Sequence, residues 1–263
     1  MWGDIAIAFL LAFITAFVIT PYSIRLAKKV GAVDYPNDRR VNKKPMPRLG
    51  GIAVIAGFLV SAIYLIITMR IENNIDFITD GLGKKLLGFL FGITCYIDDV
   101  KGISPLVKLA GQLIAAIIVV SCGVRIDNFT IPFKENSIMI NEVISYILTI
   151  GWIVGITNAI NLIDGLDGLS SGITLIACIS MLIIFSLNES PLIAIILITA
   201  LAGAIVGFLP YNFNPAKTFI GDVGSNFMGY AISIISILGV AKTYTAIVII
   251  APIIVLALPI FDT

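Results

Sequence analysis

The chain of 263 residues contains no histidine, and only 13% of its residues are charged. A soluble domain has roughly 25% charged residues, whereas 59% of this chain is hydrophobic. The absence of histidine excludes histidine metal sites and histidine acid–base catalysis within these residues. The shortage of charge excludes an ordinary soluble domain. The net charge of +1 gives no field that would attract nucleic acid.

Cysteine is also scarce, since Cys95, Cys122 and Cys178 lie singly in apolar stretches without CxxC spacing. This pattern predicts small buried hydrophobic residues rather than a disulfide framework or a metal site. The N-terminus does not look like a cleavable signal peptide. Asp4 stands where a basic region would be expected, and the apolar run that follows is too long.

What the chain has in abundance is apolar runs of about 20 residues, which predict membrane-spanning helices rather than a β-barrel. We expect an all-α polytopic membrane protein that forms a single integral membrane domain over residues 1–263. About nine helices are predicted. They cover residues 5–23, 51–69, 86–97, 106–124, 143–160, 171–187, 191–209, 227–239 and 244–261.

The distribution of Lys and Arg predicts the orientation of these helices. Eight basic residues follow the first run, and the positive-inside rule therefore places the N-terminus outside. Alternation then places 11 of the 17 Lys and Arg residues on the cytoplasmic side. The cytoplasmic connections are 98–108, 161–170 and 211–226, whereas the outer connection 124–141 predicts a short β-hairpin.

Unusual polar residues cluster on the predicted cytoplasmic side. Asn158, Asn161, Asp164 and Asp167 follow one another at intervals of three, which places them along one side of a helical turn or two. Asn, Asp and Gly are also the ordinary residues of helix ends and turns. Carboxylates near membrane depth nevertheless indicate a functional site by default.

A second cluster begins with the adjacent carboxylates Asp98 and Asp99 at a predicted membrane edge. Such a pair can bind a divalent cation or act as a base, although it can also anchor a helix end. Lys108 opens the next helix, with Gln112 one turn further, and is well placed for an anionic phosphate.

The stretch 211–226 ends with Gly221-Asp222, and Ser225 opens the next predicted helix. A carboxylate between glycines near a helix N-terminus suits a cation–phosphate complex. Phe219 can stack on a flat ring or pack at the interface. The basic segment 34–51 attracts either a phosphorylated substrate or anionic lipid.

Carboxylates, amides and a lysine on one membrane face suggest metal-dependent phosphoryl chemistry between a soluble nucleotide compound and a membrane lipid. Prenyltransferases and CDP-alcohol phosphotransferases also use membrane aspartates, but their aspartate spacing and Ala-Arg pair are missing. A cation-coupled transporter would place its sites near the midplane at a repeat interface, and no repeat is evident.

Four blocks carry a resemblance to a known family: DYPNDRRVNKKPMPRLGG, IDDVKGISPLVKLAGQ, NAINLIDGLDGLSSG and NPAKTFIGDVGSNFMG. In this order and spacing the chain resembles the polyprenyl-phosphate N-acetylhexosamine-1-phosphate transferases. That family includes phospho-N-acetylmuramoyl-pentapeptide transferases and N-acetylglucosamine-1-phosphate transferases. The RRVNKKPMPRLGG version is closer to the N-acetylglucosamine branch, and the muramoyl-pentapeptide branch is the alternative.

The resemblance implies roles for nine residues. They are Asn161 and Asp222 as Mg²⁺ ligands, Asp98 and Asp99 as catalytic residues at the lipid phosphate, Lys108 at the donor diphosphate, Asp167 at the uracil edge, Phe219 stacked on uracil, and Asp164 and Asn212 completing the pocket.

The implied reaction is attack of undecaprenyl phosphate on the sugar-proximal phosphorus of a UDP-sugar such as UDP-GlcNAc, with release of UMP. An acceptor phosphate is largely ionised near neutral pH, so we favour direct attack over an aspartyl-phosphate. The implied cofactor is Mg²⁺, with Mn²⁺ as a substitute. The implied setting is the bacterial plasma membrane. A homodimer is compatible with the resemblance, and the sequence does not determine the oligomeric state.

Two departures from the family pattern are expected to matter. Asn42 stands where many members have histidine. Family members also continue past a block like PIFDT into a basic cytoplasmic loop with a histidine motif, followed by further helices. We therefore expect the chain ending at Thr263 to lack the loop that recognises the sugar.

Overall fold

The computed structural model describes residues 2–36, 44–73, 104–130, 137–188 and 190–239. Within these ranges it contains seven α-helices and two small antiparallel β-ladders. The helices are α1 (Trp2–Val30), α2 (Gly51–Asn73), α3 (Pro105–Ser121), α4 (Glu142–Ile163), α5 (Leu169–Leu187), α6 (Leu192–Asn212) and α7 (Gly221–Gly239).

The helices match seven of the predicted apolar runs, and the runs 86–97 and 244–261 lie outside the described residues. Four described helices are long and apolar enough to cross a membrane, namely α1, α4, α5 and α6. The apolar stretches of α2 and α3 are shorter. The total of nine helices and the direction of insertion stay predictions.

The central helix is α6, which packs against α1, α2, α5 and α7 and is almost wholly buried. Its close approach to α1 depends on small residues. A side chain at Gly203 or Gly207 would collide with the backbone carbonyls of Phe9 or Phe13. These contacts bring two helices to backbone distance, as in other membrane helix pairs.

By contrast, α3 and α4 expose large apolar side chains along one face. Leu106, Ile114 and Ile117 of α3 and Ile147 of α4 are each at least half exposed. Apolar surface of this extent indicates contact with lipid rather than with water.

The end of the bundle where α3 ends and α4 begins carries the predicted hairpin. Strand β3 (Asn128–Thr130) pairs antiparallel with β4 (Ser137–Met139), which confirms the hairpin. Arg125 fastens its base. Its Nε lies 2.8 Å from Asp127 Oδ1 and its Nη1 donates to Glu142 Oε1 at 2.8 Å.

Two predicted helix boundaries were wrong in ways that affect the opposite end of the bundle. Helix α1 continues past Pro21 to Val30 and so carries Lys28 and Lys29 in its last turn. Helix α7 begins at Gly221 rather than at 227, and Asp222 therefore lies in its first turn instead of in a loop. Gly221 adopts φ +73°, a left-handed conformation that opens this helix.

Candidate active site

The end of the bundle opposite the hairpin gathers the predicted polar segments. It contains the starts of α2, α3 and α7 and the ends of α4 and α6. The short ladder of β1 (Val33–Asp34) with β2 (Met46–Pro47) lies beside it. The described parts of these segments thus lie at one end of the bundle, whereas the placement of Asp98 and Asp99 at this end and its cytoplasmic location stay predictions.

Backbone hydrogen bonds join the segment before α2 to the segment before α7. Phe219 N–H donates to Pro47 O at 2.8 Å, and Gly50 N–H donates to Phe219 O at 3.0 Å. The Thr218 hydroxyl adds a bond to Pro47 O at 2.9 Å. These bonds fix the position of Arg48, which lies between the joined residues, relative to the start of α7.

Glycine is required where these two segments touch. The backbones of Gly51 and Gly224 are in direct contact, and a side chain on either would collide with the other. A side chain at Gly221 would likewise strike the carbonyl of Arg48. The starts of α2 and α7 can approach this closely only because three glycines are present.

Asp222 is the centre of the site. Its Oδ1 accepts a hydrogen bond from Asn161 Nδ2 at 3.2 Å and lies 3.5 Å from Lys108 Nζ. Its Oδ2 accepts a bond from Arg48 Nη2 at 3.4 Å. One carboxylate therefore faces two cations and an amide drawn from α3, α4 and the segment before α2.

Asn161 connects the members of this group. Its Oδ1 accepts a hydrogen bond from Lys108 Nζ at 3.0 Å, and its Nδ2 also donates to Ser225 Oγ at 2.8 Å. Asn161 and Lys108 are therefore both in contact with distant Asp222, while their roles at a metal and at a diphosphate stay predictions. Ser225 lies one turn into α7, on the same side as Asp222.

A layer of three amide side chains, of which Gln112 and Asn226 are buried, lies one helical turn deeper. Gln112 Nε2 donates to Asn226 Oδ1 at 3.0 Å, and Asn158 Nδ2 donates to Gln112 Oε1 at 2.7 Å. Asn226 Nδ2 in turn donates to the carbonyl of Asp222 at 2.6 Å. We call Gln112, Asn158 and Asn226 the amide layer. Each member is one turn from a site residue on its own helix, so the layer fixes the register of α3, α4 and α7.

Asp164 lies at the C-terminal cap of α4, just outside the span Glu142–Ile163. Burial raises its pKa to about 6, because removal from water disfavours the charged carboxylate. The Ser170 hydroxyl, which donates to Asp164 Oδ1 at 2.6 Å, opposes this rise, and the charge of Asp222 adds to it. Asp164 is thus electrostatically linked to the site without a direct bond to Asp222.

Asp167 lies beyond the end of α4 at Ile163, so the spacing of three no longer places it on the helix side that carries Asn158 and Asn161. Its Oδ2 accepts a hydrogen bond from the backbone N–H of Ala216 at 3.0 Å. Asn212 is buried, accepting a bond from Ser171 Oγ and donating to Thr218 O. Both residues hydrogen-bond to the connection between α6 and α7, and their roles at the uracil edge and in the pocket stay predictions.

Phe219 belongs to the same connection and is half-buried. Both of its backbone groups bond to the segment before α2, and its ring is thereby held near the start of α7. Its role at a uracil ring stays a prediction. Asp98, Asp99 and Asn42 lie outside the described residues.

The residues around Asp222 fit a Mg²⁺ ion, which prefers oxygen ligands and keeps positions for water and substrate phosphate. A carboxylate, an amide and a hydroxyl are available from Asp222, Asn161 and Ser225. Among the described ranges, no group of three or more Cys, Asp or Glu side chains could hold a metal. The site would therefore depend on substrate phosphates to complete the coordination.

Sequence reasoning did not assign Arg48 or Asn226 to the site. Asn226 would have followed if α7 had been started at Gly221, since it is then one turn from Asp222. Arg48 was included only as part of a basic segment. Its position between Pro47 and Gly50-Gly51, which dock on the start of α7, distinguishes it from the other basic residues.

The family model of glycosyl transferase family 4 matches residues 82–240, more than half of the chain. The chain belongs to this family. It is 43% identical to the "probable undecaprenyl-phosphate N-acetylglucosaminyl 1-phosphate transferase" of Bacillus subtilis, over 98% of this chain and 70% of that protein.

Two further relatives represent both branches. The chain is 34% identical to the decaprenyl-phosphate N-acetylglucosaminephosphotransferase of Mycolicibacterium smegmatis, over 92% of this chain and 60% of that protein. It is 35% identical to the phospho-N-acetylmuramoyl-pentapeptide-transferase of Staphylococcus epidermidis, over 88% of this chain and 74% of that protein. All three are transferases, and the chain spans about two thirds of their length.

Proposed function

We propose that this family member transfers a sugar-1-phosphate, namely GlcNAc-1-phosphate, from a UDP-sugar to undecaprenyl phosphate and releases UMP. The observation that carries the proposal is the convergence of Lys108, Asn161 and Asp222 from three helices at one end of an apolar bundle. The Bacillus subtilis relative is named for the same acceptor and sugar.

The chemistry is a substitution at the sugar-bearing phosphorus. An oxygen of the lipid phosphate forms a new bond to that phosphorus, and the bond to the bridging oxygen breaks, so that this oxygen leaves with UMP. A bound Mg²⁺ would neutralise the charge of the diphosphate during this exchange. No strong base is required, because the lipid phosphate is largely ionised near neutral pH.

The residues of the chain have distinct tasks in this mechanism. Asp222 and Asn161 would hold the cation, and Lys108 would place its ammonium against the diphosphate. Asp98 and Asp99 would position the lipid phosphate and accept any remaining proton. Asp167 and Phe219 would bind the uracil, while Asp164 and Asn212 would support the pocket.

The site would face the cytoplasm of a bacterium at its plasma membrane, where nucleotide-sugars are available. Lys28 and Lys29 of α1 and the exposed Lys217 lie at the site end, which is the distribution expected of a cytoplasmic face. The product would be the first lipid-linked intermediate of a cell-wall or surface glycan.

The test is an assay with purified protein, Mg²⁺ and undecaprenyl phosphate, in which UMP release is followed with UDP-GlcNAc or UDP-MurNAc-pentapeptide as donor. Where the gene continues past residue 263, the longer product is assayed in parallel. We expect UMP with UDP-GlcNAc. UMP release with the pentapeptide donor alone would assign the chain to the muramoyl-pentapeptide branch. The absence of UMP release with every UDP-sugar would contradict the proposed transferase activity.

A further inference from the structure

Asp222 is bound by two cations on different oxygens. Lys108 Nζ is 3.5 Å from Oδ1, and Arg48 Nη2 is 3.4 Å from Oδ2. A single carboxylate thus faces two positive charges, and the partly buried Asp164 adds a second negative charge nearby. A divalent cation that binds this carboxylate therefore competes with the two resident cations.

Arg48 is the partner that can give way. Charge-assisted N–H···O bonds are usually about 2.7–2.9 Å long, so both contacts to Asp222 are loose. Lys108 has a second, shorter bond to Asn161 at 3.0 Å. Among the described residues, the only ion pair of Arg48 is the one with Asp222. Its guanidinium carries five donors and its side chain is 43% exposed.

The backbone of Arg48 cannot follow its side chain. Its N–H donates to Ala32 O at 3.1 Å, and its carbonyl is packed against Gly221. The neighbouring residues Pro47 and Gly50 are bonded to Phe219. A guanidinium released from Asp222 would therefore remain at the start of α7, within the length of one side chain.

We propose that Arg48 is a phosphate-binding residue that Asp222 retains until a divalent cation occupies the carboxylate. Cation binding then releases the guanidinium to a phosphate oxygen of the substrate, for which its planar set of donors is suited. The inference rests on the proposed function, since a phosphorylated substrate is required. That phosphate belongs either to the nucleotide-sugar or to the polyprenyl lipid.

The proposal requires opposite effects on two affinities when Arg48 is changed to Gln. Without the competing cation, Mn²⁺ should bind the substrate-free protein about three- to tenfold more tightly, as measured by electron paramagnetic resonance. At saturating Mn²⁺, the affinity for one phosphorylated substrate should fall about tenfold or more. Separate titrations with UDP-GlcNAc and undecaprenyl phosphate identify which phosphate Arg48 binds.

Two further variants separate this exchange from general charge effects. Arg25→Gln removes the same charge from the exposed end of α1, where Arg25 lies over the ring of Tyr22, and should leave both affinities unchanged. Arg48→Lys keeps the charge, so Mn²⁺ affinity should stay near that of the wild type. Its substrate affinity should still fall, because an ammonium cannot form the paired bonds of a guanidinium.

Unchanged or weaker Mn²⁺ binding by Arg48→Gln, in protein that unfolds at the wild-type temperature, would overturn the proposal. Tighter Mn²⁺ binding with no loss of affinity for either phosphate would also overturn it. If Arg48→Gln does not fold, Arg48→Lys decides by its substrate affinity. Failure of the proposed function is recognised separately, because the wild type would then release no UMP.

Discussion

Arginine forms ion pairs at both ends of the bundle, and the two arrangements differ. Arg125 contacts Asp127 and Glu142 at 2.8 Å each, whereas Arg48 reaches Asp222 at 3.4 Å through one nitrogen. Arg125 also lies over the ring of Tyr146, and Asp127 accepts a further bond from Ser145. In the arrangement around Arg125, the charged groups are paired with one another at short distances and stabilise the base of the hairpin.

The second arrangement is open. Asp222 has long contacts to two cations, and each of these cations retains donors that no described residue occupies at ideal distance. Short, mutually satisfied ion pairs at a protein surface organise local structure, and loose pairs around one carboxylate leave room for a cation and a phosphate. The lengths of the ion pairs therefore distinguish the structural cluster around Arg125 from the candidate catalytic cluster around Asp222.

The largest effect on activity is expected when a carboxylate is removed from one of the two arginine clusters. Asp222→Ala should lower the rate of UMP release by about 10³-fold or more, because the proposed cation loses its only described carboxylate. Asp127→Ala, which removes a carboxylate of the Arg125 cluster, should retain most of the activity. A near-normal rate for Asp222→Ala would remove this residue from the metal site.

The next effect concerns the amide layer beneath the site. Gln112→Leu removes the hydrogen bonds of Gln112 to Asn158 and Asn226, leaves the buried Asn226 Oδ1 without its amide donor, and should cost about 1–3 kcal/mol of stability. The activity should fall with it, because the register of three helices is loosened. Ser121→Ala, at the other end of α3, removes only an exposed hydroxyl bond and is the matched control.

Thermal unfolding in detergent and the UMP assay are followed for both variants. A Gln112→Leu protein with normal activity and a normal melting temperature would show that the amide layer does not position the site.

A third effect depends on pH and concerns Asp164. Its pKa rises from an ordinary 3.8 to about 6 on folding, and the folded protein therefore binds this proton more tightly. The resulting destabilisation is absent below pH 4, grows between about pH 4 and 6, and is complete above pH 6. Its size is up to about 3 kcal/mol.

Asp164→Asn keeps an acceptor for Ser170 and removes the charge. The variant should therefore melt at a higher temperature than the wild type at pH 8 and at the same temperature at pH 4, while its activity falls. Equal melting temperatures at pH 8 would show that Asp164 is not destabilised by burial.

The smallest effect is expected at the Arg125 cluster itself. Arg125→Gln leaves the site untouched, because the site lies at the other end of the 17-residue helix α3, and kcat/KM for the donor should not change. Exposed ion pairs contribute little to stability, so the melting temperature should fall only slightly. A substantial loss of activity would show that the hairpin end influences the site.

The sequence predicted the fold to the extent that hydrophobicity determines it. Runs of apolar residues located seven helices, because the removal of apolar side chains from water is the main driving force for placing them in a membrane. Helix starts were less predictable. Asp222 looks like a loop residue by composition, yet it lies in the first turn of α7, where its carboxylate is in contact with Lys108 of α3 and Asn161 of α4.

The sequence also predicted only part of the site, because some of its contacts join distant parts of the chain. The grouping of Lys108, Asn161 and Asp222 followed from a resemblance and from the shared face, and the structure has these residues in contact. Arg48 could not be separated from seven other basic residues in its part of the chain, because its position depends on backbone bonds to residues about 170 positions later.

The burial of α6 also bears on how the protein is made. Helices α1 and α2 precede α6 in the chain, yet both pack against this helix, which begins only at Leu192. Until that segment leaves the ribosome, the α1 backbone at Phe9 and Phe13 lacks the partner that Gly203 and Gly207 supply in the finished protein. Biogenesis would then proceed by late insertion of a central helix between earlier ones, and Arg48 would meet Asp222 only as the last described helix arrives.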